Sequence, residues 1–236
     1  MLVLALDTAV EHASAVLADG DRELAAWRAD TGRDLCRRLA PELAQVVDRA
    51  GRTFDDLDLV AVGLGPGSFT ALRVGLATAK AVALARDLPL VGVSSLAAMA
   101  WQVRNRLAGL VCPMLDARRG EIYAALYRTT ADGVQVVKPE FVAAAGDLTE
   151  RLGCCDEQVT LFGQLDRLPA QEIASAIGER GRLWREENVL PDALAVAQLG
   201  RRRCRANGAD DAASLRPIYV RMSYAEERFD IDLGLR

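Results

Sequence analysis

Two short stretches of the sequence combine side chains that could handle a phosphate group. Asp7-Thr8-Ala9 follows an apolar run, so its carboxylate is expected at the end of a strand. A carboxylate there can hold a metal–phosphate group, or it can close a turn by bonding its own backbone. The second stretch, Gly65-Pro66-Gly67-Ser68, separates a predicted strand from a predicted helix. Its backbone N–H groups and the helix N-terminus could cradle an anion, or the glycines could form a tight turn.

These stretches supply the residues of a candidate degenerate phosphate site. Its members are Asp7, Thr8, Gly65, Gly67 and Ser68. The glycine loop is not a Walker loop, because the Lys-Ser/Thr pair is absent, and it does not match Gly-x-Gly-x-x-Gly. No catalytic residue is assigned from the sequence.

Two charged segments admit a catalytic or a structural interpretation. Asp116-Ala117-Arg118-Arg119-Gly120-Glu121-Ile122-Tyr123 predicts a hairpin tip. Its Asp and Glu could do acid–base work, but surface ion pairs on a solvated turn are favoured. The run Arg201-Arg202-Arg203-Cys204-Arg205 lies at the end of a predicted helix, where it complements the helix dipole.

Composition excludes several classes of site. The single histidine, His12, cannot supply two metal ligands or a His-Glu-x-x-His motif. Five cysteines without a Cys-x-x-Cys pair argue against a zinc site and a disulfide framework, which fits a reducing cytoplasm. A net charge of −4 is unlike that of a protein that grips nucleic acid by itself. No apolar run reaches about 18 residues, so no membrane span is expected.

The apolar pattern places the candidate residues on alternating strands and helices. Predicted strands span residues 2–7, 13–17, 23–29, 57–64 and 90–93, and predicted helices span 35–50, 70–85 and 95–107. Pro41 marks either the start of the first helix or a kink in it. Early hairpins followed by strand–helix alternation are typical of a mixed sheet covered by helices.

The second half repeats this order from Gly109 onward. Its predicted strands span 110–115, 122–128, 134–142 and 159–162, and its helices span 146–152, 171–177 and 191–206. We therefore predict an α/β fold with two lobes, 1–108 and 109–236, and leave open whether the last helix packs back on the first lobe. The charged segment 223–236 is predicted to be mobile.

Two helices of the first lobe carry faces that suit a partner helix. One has an apolar stripe, and the other has small residues that allow close approach. The residues are Leu35, Leu39, Leu43, Val46 and Val47 on the first helix, and Ala71, Gly75, Thr78, Ala79 and Val82 on the second. These faces predict either a protein interface or packing within the chain's own core.

Several segments together resemble the TsaB (YeaZ) family over nearly the whole chain. The first two are the opening hairpin, residues 4–17, and the stretch Gly65-Pro66-Gly67-Ser68-Phe69-Thr70-Ala71-Leu72-Arg73-Val74-Gly75. Lys80, Gly92-Val93-Ser94-Ser95-Leu96, the hairpin 116–123 and Arg216-Pro217-Ile218-Tyr219-Val220-Arg221 follow. The glycine-loop stretch is the most specific of these motifs.

The resemblance implies a duplicated actin-like ATPase (ASKHA) fold and a role in forming threonylcarbamoyladenosine at adenosine 37 of tRNA. The relative TsaD carries a metal site with a His-x-x-x-His motif, which a single histidine cannot form. The resemblance therefore implies a non-catalytic scaffold or activator that acts with a TsaD-like subunit and a TsaE-like ATPase. It also implies a homodimer when alone and only indirect contact with tRNA. It implies no firmly bound cofactor, with ATP or ADP possible at the complex interface.

The sequence departs from the family pattern on the two helices used for pairing. Leu35-Cys36-Arg37-Arg38-Leu39-Ala40-Pro41 stands where His-Ser or His-Ala before Leu-x-Pro is common, and Ala71 and Ala81 stand where glycines are usual. Two other functions stay open. One is a nucleotide-dependent actin-fold enzyme, kinase-like or peptidase-like, that uses Asp7 and the Gly65–Ser68 loop. The other is an interaction module without a tRNA role.

Overall fold

The computed structural model describes residues 1–30, 32–152 and 157–221. Their contacts form two compact units. The first unit combines Met1–Met99 with Leu190–Pro217, and the second combines Ala100–Val189 with the segment from residue 218. The pair Cys154-Cys155 and the predicted mobile segment 223–236 lie outside the described residues.

The first unit is built on a five-stranded mixed sheet with the order β3-β2-β1-β4-β5. The strands are β1 (Leu2–Asp7), β2 (His12–Asp19), β3 (Arg22–Asp30), β4 (Leu59–Gly63) and β5 (Leu90–Val93). The first three strands pair antiparallel, whereas β4 pairs parallel with both β1 and β5. Since β1 lies at the junction, its carboxyl end meets that of β4, and this places Asp7 opposite the glycine loop.

Four helices belong wholly or largely to this unit. They are α1 (Leu35–Arg49), α2 (Phe69–Ala85), α3 (Ser95–Val103) and α6 (Ala193–Asn207). Every residue of β1 and β4 is buried, because both α2 and α6 pack against these strands. α1 begins at Leu35 and includes Pro41, so this proline does not mark its start.

The two units do not match the predicted lobes 1–108 and 109–236, because α6 packs on the first unit. At its start, the Ala193 N–H donates to the Ser14 hydroxyl of β2 over 2.9 Å. Along its length, Gly200 lies so close to Ala61 of β4 that a Cβ would come within 2.7 Å of the alanine Cβ. The last helix is therefore part of the first unit.

The second unit repeats the strand arrangement, with the order β10-β9-β6-β7-β8. Its strands are β6 (Gly109–Asp116), β7 (Glu121–Thr130), β8 (Gly133–Ala144), β9 (Val159–Gly163) and β10 (Gly181–Leu183). The central strand β6 pairs antiparallel with β7 and parallel with β9, as β1 does with β2 and β4. The helices are α4 (Leu148–Leu152) and α5 (Ala170–Ile177). This correspondence of strand order confirms the duplicated fold.

Short 3-10 turns complete the described elements. They span Gly32–Asp34, Phe54–Asp56, Ala145–Asp147 and Gly178–Arg180. Within the described ranges, no helix has the length and apolar character needed to cross a membrane.

Candidate functional site

Asp7 is the last residue of β1, and other residues of the chain donate hydrogen bonds to its carboxylate. Its residue exposure is 1%, and Ser95, which begins α3, is fully buried beside it. The Ser95 hydroxyl donates to Asp7 Oδ2 over 2.6 Å, and the Ala9 N–H donates to Asp7 Oδ1 over 2.8 Å. Both carboxylate oxygens therefore accept an internal hydrogen bond.

Burial dominates the acidity of this group. Removal from water raises the pKa of Asp7 from 3.8 to about 6, because the ionised form loses its hydration. The bonds from Ser95 and Ala9 act in the opposite direction, and the negative charge of Asp192 adds a smaller increase. Proton uptake by Asp7 is thus expected under mildly acidic conditions.

The glycine loop is tied to the same residues. The Gly65 N–H donates to the Ser95 hydroxyl over 3.1 Å, and the Ser95 N–H donates to the Gly65 carbonyl over 2.9 Å. Further along, the Ser68 N–H donates to the Ala9 carbonyl over 2.8 Å. The N–H groups of Gly65 and Ser68, which were expected to face a phosphate, are therefore hydrogen-bonded to protein oxygens. The Gly65–Pro66 peptide bond within this loop is cis.

Glycines allow the loop and the strand ends to touch. A Cβ at Gly67 would overlap the carbonyl of Ala9, and a Cβ at Gly63, the last residue of β4, would overlap the Asp7 carboxylate. These two glycines are accordingly required for close approach of protein to protein. Their presence does not need a ligand to explain it.

The structure brings all five predicted phosphate-site residues to one end of the first sheet. Asp7 and Thr8 are buried, Gly67 is half-buried, and Ser68 is exposed. The Thr8 hydroxyl donates to the carbonyl of Ala71 in α2 over 2.8 Å. Ser95 was not among the predicted site residues, although it lies in the Gly92–Leu96 stretch that resembles the family. The neighbouring Ser94 caps α3, since its hydroxyl accepts a hydrogen bond from the Ala97 N–H over 3.2 Å.

The apolar stripe of α1 lies in the core of the first unit. Its five predicted interface residues are no more than 5% exposed: Leu35, Leu39, Leu43, Val46 and Val47. α1 packs against β2, β3 and α2, which cover this stripe. These side chains therefore cannot contact a partner while α1 packs in this way.

The predicted face of α2 is largely covered as well. Ala79 is fully buried, and a Cβ at Gly75 would overlap the Thr8 hydroxyl. Ala71, Thr78 and Val82 are half-buried. The small residues of this face thus fit α2 onto its own unit.

The outward faces of the two helices carry exposed apolar and small residues that were not among the predicted interface residues. We define this exposed helical surface by Cys36, Ala40, Pro41 and Ala44 of α1, and by Phe69, Ala77, Ala81 and Leu84 of α2. Leu84 is 71% exposed, and Phe69 is 40% exposed with the Arg73 guanidinium 3.9 Å from its ring centroid. The signal was the helical period itself, because the residues out of phase with the buried stripe include apolar ones.

The charged motifs form ion pairs. Glu121 of the β6–β7 hairpin pairs with Arg221. On α6, Arg201 pairs with Asp21 over 2.6 Å, and Arg203 pairs with Asp210 over 2.7 Å. His12 Nδ1 lies 3.0 Å from a carboxylate oxygen of the exposed Asp30. Within residues 1–30, 32–152 and 157–221, no cluster of three or more His, Cys, Asp or Glu side chains is arranged to hold a metal.

Comparison with solved structures identifies the architecture. YeaZ from Pseudomonas aeruginosa superposes with a TM-score of 0.76 at 25% identity, covering 92% of this chain and 99% of that one. A ROK hexokinase from Thermus thermophilus, at 13% identity, gives a TM-score of 0.50 over 87% of this chain and 100% of its own. The hexokinase shares the fold alone. These likenesses confirm the actin-like ATPase fold.

Comparison of sequences assigns the family. The model of the TsaD family, tRNA N6-adenosine threonylcarbamoyltransferase, matches residues 29–154. The tRNA threonylcarbamoyladenosine biosynthesis protein TsaB of Haemophilus influenzae is 30% identical over 94% of each chain. The TsaB protein of Bacillus subtilis is 29% identical over 97% of this chain and 98% of its own. With near full-length likeness to TsaB proteins and to the YeaZ structure, this chain belongs to the TsaB (YeaZ) family.

Proposed function

We propose that this chain is a non-catalytic scaffold or activator subunit for threonylcarbamoyl transfer to adenosine 37 of tRNA. In this proposal it acts in the cytoplasm with a TsaD-like subunit and a TsaE-like ATPase. The TsaB relatives are named for tRNA threonylcarbamoyladenosine biosynthesis. The observation that carries the non-catalytic role is the internal bonding of Asp7 by Ser95 and Ala9.

A working phosphate site must offer unpaired donors or metal ligands to its substrate. Here the Asp7 carboxylate accepts two internal hydrogen bonds, and the N–H groups of Gly65 and Ser68 donate to protein oxygens. A nucleotide would have to break these bonds and separate the glycine loop from Ala9. Because broken buried hydrogen bonds cost free energy, the arrangement favours a structural role for Asp7.

The exposed helical surface is the part of the first unit that we assign to a partner. Ala40, Ala77 and Ala81 would let another helix approach closely, and Phe69 and Leu84 would supply apolar anchors. The same surface would serve the TsaD-like subunit and, when the chain is alone, a second copy. The homodimer and the heterodimer would then exclude each other.

The buried residues of the predicted α2 face are poor positions for testing partner binding. A bulky charge at Gly75 or Ala79 would disrupt the core, so lost binding would not identify an interface. We instead expect Ala81→Arg to abolish binding to the TsaD-like subunit while leaving thermal stability unchanged. Ala131→Arg, on an exposed turn of the second unit, is the matched control. Unaltered binding of the Ala81→Arg variant in a calorimetric titration would refute the assignment.

A thermal-shift measurement separates this proposal from a nucleotide-dependent enzyme. A true site saturated at about 100 times its dissociation constant should add about 2.7 kcal/mol to the stability of the isolated chain. We propose that the chain binds no nucleotide firmly and that ATP or ADP binds only at the interface of the complex. A shift with ATP that disappears in the Asp7→Ala variant would favour the enzyme.

A further inference from the structure

The turn between β6 and β7 holds two arginines in a backbone conformation, with positive φ, that usually favours glycine or asparagine. Arg118, Arg119 and Gly120 have φ values of 65°, 56° and 78°. The Glu121 N–H donates to the Arg118 carbonyl over 3.1 Å, which closes a turn whose central residues are Arg119 and Gly120. Asn-Gly is favoured in such turns, because a Cβ crowds the backbone at positive φ. The turn geometry therefore does not account for the arginines.

Several contacts hold this backbone in place. Asp116 Oδ1 accepts from the Arg118 N–H over 2.7 Å, and the Ala117 N–H donates to the Glu121 carbonyl over 3.0 Å. From a distant segment, Arg221 donates to the Ala117 carbonyl over 3.0 Å and pairs with the Glu121 carboxylate. Strained backbone that is fixed from several directions is characteristic of functional sites.

The composition of the exposed tip indicates the kind of partner. Arg118, Arg119 and Gly120 are exposed, whereas the flanking Ala117 and Ile122 are buried. The energetic centre of a protein interface usually holds aromatic or apolar anchors, and the exposed tip has none. Guanidinium groups, in contrast, match the geometry of phosphate oxygens and hydrogen-bond them in pairs.

We propose that the arginine tip, residues 118–120, contacts the phosphate backbone of the tRNA. The proposal rests on the proposed function, since the RNA is the substrate of that assembly. It goes beyond it by giving this chain a direct RNA contact, where the resemblance implies only an indirect one. With a net charge of −4, the chain would make a local contact and leave most of the RNA to its partner.

Binding of fluorescently labelled tRNA to the assembled complex, at several salt concentrations, tests this contact. We expect Arg118→Glu/Arg119→Glu to weaken tRNA binding about tenfold. The slope of log affinity against log salt concentration should fall by an amount that corresponds to about one to two phosphate contacts. The matched control is Arg202→Glu/Arg205→Glu, which makes the same charge change at exposed positions of α6. We expect the control to bind tRNA within about twofold of the wild type.

A second variant guards against a folding defect. Arg119→Asn places a residue that tolerates positive φ in the turn, so we expect equal or higher thermal stability together with weaker tRNA binding. Wild-type tRNA affinity in both the Asn and the double Glu variants overturns the proposal. Loss of binding to the TsaD-like subunit in place of tRNA binding also overturns it, because the tip would then face a protein.

Failure of the proposed function can be told apart from failure of this contact. If the wild-type chain does not join the complex, both proposals fall. If it joins and is required for transfer, but the tip variants bind tRNA normally, only the tip contact is wrong.

Discussion

Asp7 and Asp116 occupy equivalent places in the two units but have different surroundings. Each is the last residue of its central strand, and each accepts a hydrogen bond from the backbone N–H two residues later, that of Ala9 or Arg118. Asp7 is buried against Ser95, whereas the Asp116 side chain is 19% exposed and its Oδ2 lies 3.8 Å from Nη1 of Arg118. The same strand order thus supports a closed turn in one unit and an open, charged turn in the other.

The residues after the neighbouring parallel strand account for the difference. In the first unit, β4 ends in Gly63 and leads to a glycine loop that packs directly on the turn. In the second unit, β9 ends in Gly163, and the side-chain oxygen of the next residue, Gln164, accepts a hydrogen bond from the Asp116 N–H over 3.0 Å. Duplicated topology therefore does not preserve the chemistry at the strand ends.

The largest expected effect comes from adding a methyl group to the closed turn. Gly67→Ala should lower the free energy of unfolding by about 3 kcal/mol or more, because its Cβ would overlap the rigid carbonyl of Ala9. Gly133→Ala is the control, since a Cβ there has nothing within 4 Å. Urea denaturation measures both. Similar stability of the two variants would mean that the loop does not touch the strand end.

The buried carboxylate should make stability depend on pH. Burial raises the pKa of Asp7 in the folded protein to about 6, against 3.8 as the ordinary value. Because the folded protein therefore takes up the proton more readily than the unfolded chain, the free energy of unfolding should rise as the pH falls from 7 to 4. The gain should be roughly 2 to 3 kcal/mol relative to Asp7→Asn, which cannot titrate. Denaturation of both proteins across this range measures the difference. Parallel pH profiles would contradict the burial of Asp7.

Removing the hydroxyl that links strand and loop should have a smaller effect. Ser95→Ala leaves the Gly65 N–H and the Asp7 carboxylate without this partner, which should cost about 2 kcal/mol. Ser94→Ala, one residue earlier, removes a cap of α3 and should cost about 1 kcal/mol or less. Equal thermal shifts of the two variants would show that Ser95 has no special role.

The smallest effect is expected at the open turn. Gln164→Ala removes the acceptor of the Asp116 N–H and should cost about 1 kcal/mol, because this single hydrogen bond is only partly buried, whereas both bonds of the Ser95 hydroxyl are buried. Chemical denaturation can resolve that change. A loss larger than that of Ser95→Ala would reverse the contrast between the two turns.

Local patterns predicted most of the elements and their order. A continuous apolar run marks the strand of residues 2–7, and helical periodicity marks the helix from Leu35; the structure confirms both. Strand β10 has only three residues, too few for a periodic signal, and was not predicted. The order of strands followed by helices recurs in both halves and suggested a duplication, but the actin-like fold itself was implied by the family resemblance.

The site could be predicted only in part. Asp7 and the glycine loop were selected correctly as neighbours, but Ser95 lies 88 positions from Asp7 and has no local signal. Periodicity identified the stripe that includes Leu39 but could not tell whether the chain or a partner covers it. That distinction depends on β2 and β3, whose packing only the folded chain defines.

The most direct test is the rate of threonylcarbamoyl transfer to tRNA by TsaD-like and TsaE-like proteins from the same organism. The rate would be measured without this chain, with the wild type, and with Asp7→Asn, whose folding is first checked. A scaffold role predicts that transfer requires the chain and that Asp7→Asn supports it as the wild type does. Transfer that is independent of the chain, or that is lost in the folded Asp7→Asn variant, would contradict the account.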